Sequence, residues 1–110
     1  MITESQVDKA LEFLRTTAED AANARAAVAY TGEWLKVVKA SQKAKQAGLS
    51  NAAAEDVALT STEYFQALEG YRDAVKQDSF YRFKREAADA MIRAWQTEQA
   101  SLRAEGRAYS

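Results

Sequence analysis

STEYFQALEGYRDAVKQDSFYRFKREAADAMIRAWQTEQASLRAE, residues 61–105, contains no proline and a single glycine, Gly70, and places Tyr64, Leu68, Tyr71 and Val75 at helical spacing. At a rise of about 1.5 Å per residue this predicts a helix of about 70 Å. The usual globular helix has about 8 to 20 residues, so a helix this long needs a partner along its side, as in a coiled coil or a bundle. The apolar stripe changes side along the way. At about 100° per residue, Tyr64, Leu68, Tyr71 and Val75 share one arc, whereas Phe80, Ala87, Met91, Trp95 and Leu102 fall on roughly the opposite one. The switch lies at residues 76–79 and predicts either a kink there or different neighbours for the two halves.

The partner is found upstream. Thr3 and Gln6 have the spacing of a capping box. Val7, Leu11, Leu14, Ala18 and Ala21 then form one stripe, and Ala24, Val28, Thr31, Leu35 and Val38 continue it, displaced in the sense of a left-handed supercoil. Gly32 costs about 1 kcal/mol against alanine without ending the helix. Gly48 suits the left-handed position after a helix, which predicts a first helix over residues 3–47. Ser50 caps a short alanine-rich helix, 51–59, and Thr60, Ser61 and Thr62 supply the cap of the last one, 61–105. Two long helices of matched length around a compact connector predict an all-α fold, a long antiparallel helical hairpin forming a single domain over residues 1–110 and assembling into a bundle. With the connector centred at its midpoint, the numbers of facing residues add up to about 109. Trp34 then lies by Val75, Trp95 by Leu14, and Lys36, Lys39, Lys43 and Lys45 near Glu63, Glu69 and Asp73.

A chain of 110 residues that is 47% apolar and 28% charged has the composition of a foldable protein. It has neither cysteine nor histidine, which removes disulfides, thiol chemistry, the usual zinc ligand sets and the commonest general base. The neighbouring carboxylates Glu19 and Asp20, and Glu55 and Asp56, diverge on a helix instead of converging on a substrate. There is no phosphate-cradling glycine loop and no nucleophile elbow. The expectation is a protein that is not an enzyme and uses no metal or cofactor. MITESQVDKALEFL lacks the basic start and apolar core of a signal peptide, and no window is apolar enough to span a membrane, which predicts a cytoplasmic protein without a membrane partner. A formal net charge of −1 argues against a general electrostatic grip on nucleic acid.

Two clusters stand out as candidate contacts. Phe80, Tyr81 and Phe83 interleave with Arg82, Lys84 and Arg85, a pattern that stacks bases while cations follow phosphates, but one used more often in protein interfaces. A two-helix hairpin cannot cover aromatics pointing in such different directions, so Trp34, Phe80, Tyr81, Phe83, Met91 and Trp95 are the expected partner-binding or oligomer interface. Arg82, Lys84 and Arg85, with the lysine row Lys36, Lys39 and Lys43, are the candidate nucleic-acid contacts, against the ordinary reading of a solvated helix face.

The segments EWLKVVKA (33–40), EYFQALEGYRDAV (63–75) and AADAMIRAWQTEQASLR (87–103) resemble a group of small helical early-region proteins of tailed phages and prophages, often encoded near recombination and single-strand DNA functions. Thr62 stands where a proline is common in that group. The resemblance implies no catalytic motif. It implies a non-enzymatic, phage-type adaptor in the bacterial cytoplasm that binds a phage or host protein of DNA recombination or replication, and itself as a homodimer or higher oligomer. The alternatives are an inhibitor of a host or defence nuclease and, less favoured, a single-stranded DNA-binding protein.

Overall fold

The computed structural model describes residues 1–109. They form four helices, α1 Glu4–Thr16, α2 Ala18–Ala44, α3 Asn51–Leu59 and α4 Thr62–Tyr109, and no strand occurs among the described residues. The protein is all-α, with its long helices in a hairpin-like arrangement. The chain divides into two compact units, one made of Met1–Ala21 and Phe80–Ser110, the other of Ala22–Ser79.

In the first unit α1 begins with a complete capping box. The Thr3 hydroxyl accepts from the Gln6 N–H at 3.1 Å, and the Gln6 side chain accepts from the Thr3 N–H at 2.9 Å, so two of the exposed donors at a helix start are satisfied reciprocally. The Ile2 N–H donates to the Glu98 carboxylate and ties this end to α4. Along α1 the buried or half-buried residues include Val7, Ala10 and Leu14, continued by Thr17 and by Ala21 of α2; along α4 they include Tyr81, Arg85, Ala88, Ile92 and Trp95. Both rows step by three and four, the spacing with which paired helices mesh.

The sequence pattern predicts one helix over 3–47, but the structure divides it at Thr17. The helical ladder runs up to the Thr17 N–H, which donates to the Phe13 carbonyl at 3.0 Å, and resumes where the Ala21 N–H donates to the Thr17 carbonyl at 2.8 Å. Between them the Leu14 carbonyl, which an uninterrupted helix gives to Ala18, receives the Arg85 guanidinium at 2.8 Å. A side chain inserted into the ladder is a recognised cause of a helix break.

The second unit holds the rest of α2, all of α3 and the first part of α4. Ala24, Val28, Thr31, Leu35, Val38 and Gln42 are withdrawn from solvent on α2, facing a row of Tyr64, Ala67, Tyr71, Ala74 and Asp78 on α4. The end of α2 tightens: Lys45 and Gln46 donate to carbonyls three residues back, so the α-helix stops at Ala44 instead of 47, with orphan carbonyls satisfied by shorter-range bonds. Gly48 then takes φ +87°, a left-handed conformation that costs other L-residues about 1–2 kcal/mol. Ser50 caps α3 by accepting from the Ala53 N–H at 3.1 Å, and Ser61 caps α4 by accepting from the Tyr64 N–H at 3.2 Å.

Of the two alternatives expected for residues 76–79, the kink is corrected, while the halves of α4 do have different neighbours. α4 is continuous through residues 76–79, and its shielded row does not switch sides, because Asp78 and Tyr81 continue the same three-four count. The apparent switch arises because Asp78 and Arg85 occupy row positions, while Phe80 and Phe83 lie outside the row and are exposed. The division between the two units nevertheless falls at residue 79.

The register also differs, by about one heptad. The Leu14 carbonyl meets Arg85, not Trp95, and Trp34 shares a groove with Ala67 and Gly70, not Val75. A slip of one heptad leaves every row residue in its row, so periodicity cannot choose between the two registers. The connector chooses: α3 folds back along α2, with Glu55 reaching Lys39, and α4 therefore starts opposite an earlier part of α2.

A Cβ added at Gly32 would meet the Tyr71 ring at 3.5 Å, an ordinary contact. Gly32→Ala is expected to raise stability by about 0.5–1 kcal/mol, since it restricts the unfolded chain and suits a helix interior. Gly48→Ala is expected to lower it by about 1 kcal/mol. Urea denaturation checks both, and equal effects of the same sign would contradict the assignment.

Candidate interaction surface

The residues singled out as candidate contacts do not form one site. Arg85 points inward, half-buried, and donates to the Leu14 carbonyl and, at 2.9 Å, to the Thr17 hydroxyl, which in turn donates to the Phe13 carbonyl. It therefore places a cation at the C-terminal end of α1, where the helix dipole favours positive charge. The sequence pattern suggests a contact for phosphate, but in the structure the guanidinium is engaged within its own unit. Lys84 sits 5.1 Å from the Phe80 ring centroid and 5.7 Å from that of Phe13, and Arg82 lies 5.1 Å from the Phe83 centroid. Such placements use the negative faces of the rings to hold the cations.

Around these cations the aromatic residues separate into two groups. Tyr81 and Trp95 belong to the shielded row, Met91 flanks it half-buried, and Trp95 Nε1 is buried without a hydrogen-bond partner among the described residues. Phe80 packs edge-on against Tyr81 with centroids 5.4 Å apart yet stays 49% exposed, and Phe83 is 61% exposed. Beside them Phe13, Lys84, Ala87 and Met91 line a shallow apolar cleft of about 380 Å³ between α1 and α4. Phe80 and Phe83 at this edge stay accessible to a partner.

Trp34 belongs to the other unit. It is 45% exposed and stands on α2 between Tyr30, 70% exposed, and Val37, 53% exposed. These three residues step by four and three, a second row directly beside the shielded one. That row is legible in the sequence as a repeat of large apolar residues one position ahead of Thr31, Leu35 and Val38. Trp34 and Val37 form one wall of a groove of about 460 Å³ whose other wall is Ala67 and Gly70 of α4.

The lysine row is drawn into local pairs. Lys36 pairs with Glu33 on its own helix at 3.2 Å, and Lys39 pairs with Glu55 of α3 instead of the expected Glu63, Glu69 or Asp73. Lys39, by hydrogen bond and charge, holds the Glu55 carboxyl below its ordinary value, with Lys43 adding a smaller pull in the same direction, and Glu55 raises Lys39 in return.

No protein-family model matches the chain, and no characterised protein or solved structure is significantly similar to it. Among the described residues no group of three or more carboxylates is placed to hold a metal ion, and no helix is long and apolar enough to cross a membrane.

Arg85→Met keeps much of the side-chain volume but leaves the Leu14 carbonyl and Thr17 hydroxyl without their charged donor. It is expected to destabilise the protein by about 1.5–3 kcal/mol, and a change below about 0.5 kcal/mol would contradict the role given to this contact. Because the Glu55 value is depressed, the stabilisation from its pairing is present above the ordinary carboxylate range and is lost as pH falls through the lowered value. Lys39→Ala should return the Glu55 carboxyl toward its ordinary value in a carbon-13 NMR titration; an unmoved midpoint would show that the pair does not form.

Proposed function

We propose that the protein is a non-enzymatic adaptor of the phage type, which binds a protein of DNA recombination or replication in the bacterial cytoplasm through an exposed helical surface and works as a homodimer or higher oligomer. The observation that supports the reading most is the inversion of the usual core. Among the described residues no large side chain is fully buried, and those below about a tenth exposure are mostly alanines, while Tyr30, Trp34, Phe65, Phe80 and Phe83 stand between 45% and 70% exposed. Aromatic residues in such positions, with cations laid over their rings, have the composition of protein interfaces. A nucleic-acid surface is less well supported, since Arg85 and Lys84 are engaged within their unit and Lys36 and Lys39 carry carboxylate partners.

The test is photo-crosslinking from position 83 in phage-infected cells, with the same experiment repeated on Phe80→Asp. The expected product is one protein of recombination or replication, at least about tenfold weaker in the variant, as truncation of a hot-spot residue worth about 2 kcal/mol implies. Capture of a nuclease would replace this reading with inhibition, and crosslinking to nucleic acid that is abolished by added salt would replace it with single-strand binding.

A further inference from the structure

We propose that the cleft between α1 and α4 in the unit of Met1–Ala21 and Phe80–Ser110 receives an acidic amphipathic helix of the partner protein, with its apolar face on Phe13, Ala87 and Met91 and its carboxylates on Lys9 and Lys84. The inference rests on the adaptor reading above and names the chemistry of what the adaptor binds.

The charge of the cleft selects the occupant. Lys9 stands on the α1 wall and Lys84 on the α4 wall, and no carboxylate lines the space of about 380 Å³ that they border. Elsewhere in the unit Arg15 pairs with Glu12 and Arg93 with Asp89, whereas neither lysine has a carboxylate partner among the described residues. The sequence shows why. Residues three and four positions away are the ones a helical side chain can reach. For Lys84 these are Phe80, Tyr81, Ala87 and Ala88; for Lys9 they are Ser5, Gln6, Glu12 and Phe13, and Glu12 already gives both carboxylate oxygens to Arg15.

The Lys84 ammonium is held instead by rings, 5.1 Å from the Phe80 centroid and 5.7 Å from that of Phe13. Ring faces orient a cation without cancelling its charge, so this ammonium keeps donors for an incoming carboxylate. The cleft therefore offers two positioned cations and no anion of its own.

The apolar residues fix the rest of the partner's character. Phe13 and Met91 are half-buried and Ala87 is exposed. Ala87, the smallest of the three, leaves space for a leucine or phenylalanine, and the flexible Met91 adapts to its shape. Two lysines are too few to follow a phosphate backbone, and a shallow cleft does not enclose an acyl chain. A helix laid in the groove between two others presents apolar and acidic residues together.

The test titrates the full chain with a fluorescein-labelled helical peptide that carries leucine and phenylalanine on one face and glutamate along both borders. The same peptide with lysine for glutamate, an oligothymidylate and phosphatidylglycerol vesicles are the comparisons. By fluorescence anisotropy the acidic peptide is expected to bind, less tightly as salt is added, and to shift the methyl resonances of Ala87 and Met91. Lys9→Glu combined with Lys84→Glu should weaken it at least about tenfold and bind the lysine peptide in its place. Both positions are exposed, so circular dichroism should show unchanged helix content. Equal binding of the two peptides, or no binding of the acidic one, would overturn the proposal, as would the oligonucleotide, the vesicles or a second copy of this chain shifting those methyl groups instead. If position 83 still crosslinks to a protein in cells, undiminished in the double variant, that failure belongs to the cleft alone and the adaptor reading stands. Absence of any protein crosslink overturns the adaptor reading, while the peptide titration decides the cleft by itself.

Discussion

Arg85 reaches from α4 into the interruption between α1 and α2 and donates to the Leu14 carbonyl and the Thr17 hydroxyl. Apolar rows that repeat every seven residues are satisfied equally well after a slip of one repeat, so they fix which faces meet but not which residues. A half-buried guanidinium removes that freedom in its unit. Displaced by a heptad it would face alanine and lose hydrogen bonds worth about 1.5–3 kcal/mol when made by a charged group. The same contact divides α1 from α2, since the carbonyl it takes belongs to the helical ladder.

The shielded rows are narrow. Ala10, Ala24, Ala67 and Ala88 are among their most buried members, as Ala54 and Ala58 are in α3, and an alanine methyl contributes only about 0.8 kcal/mol on burial. Small residues let helices approach closely but leave little room for bulky side chains between them. The aromatic residues are therefore displaced to the flanks, where they cover the rows incompletely and remain available to a partner. The thin core and the exposed aromatics are two consequences of one choice of residues, and the proposed interaction surfaces follow from it.

Much of the architecture was legible in the sequence. The Thr3 capping box, the positive φ at Gly48 and the helix starts at Ser50 and Ser61 are local features, decided by short-range hydrogen bonds and sterics that the residue types reveal. The row from Ala24 to Val38 was also visible, because its members are apolar or small. Positions filled by polar residues hid the rest. Asp78 and Arg85 lie in the shielded row of α4 and made it appear to change sides; Thr17 lies in the row of α1 and α2 where Ala18 seemed the better candidate. The register was not legible at all, since it depends on α3 folding back beside Lys39, a tertiary event that periodicity does not encode. Among the candidate contacts, Trp34, Phe80 and Phe83 are exposed, while the engagement of Arg85 and Lys84 within their unit depends on neighbours more than sixty residues distant in the chain.

The register is the central claim, and the Arg85 side chain reports it directly. In a methyl-labelled sample, nuclear Overhauser spectroscopy should connect the Arg85 side-chain protons to the Thr17 methyl group, which lies next to a hydroxyl accepting from the guanidinium at 2.9 Å. Contacts from Arg85 to the Ala24 methyl group in place of Thr17 would put the helices one heptad away and contradict the account.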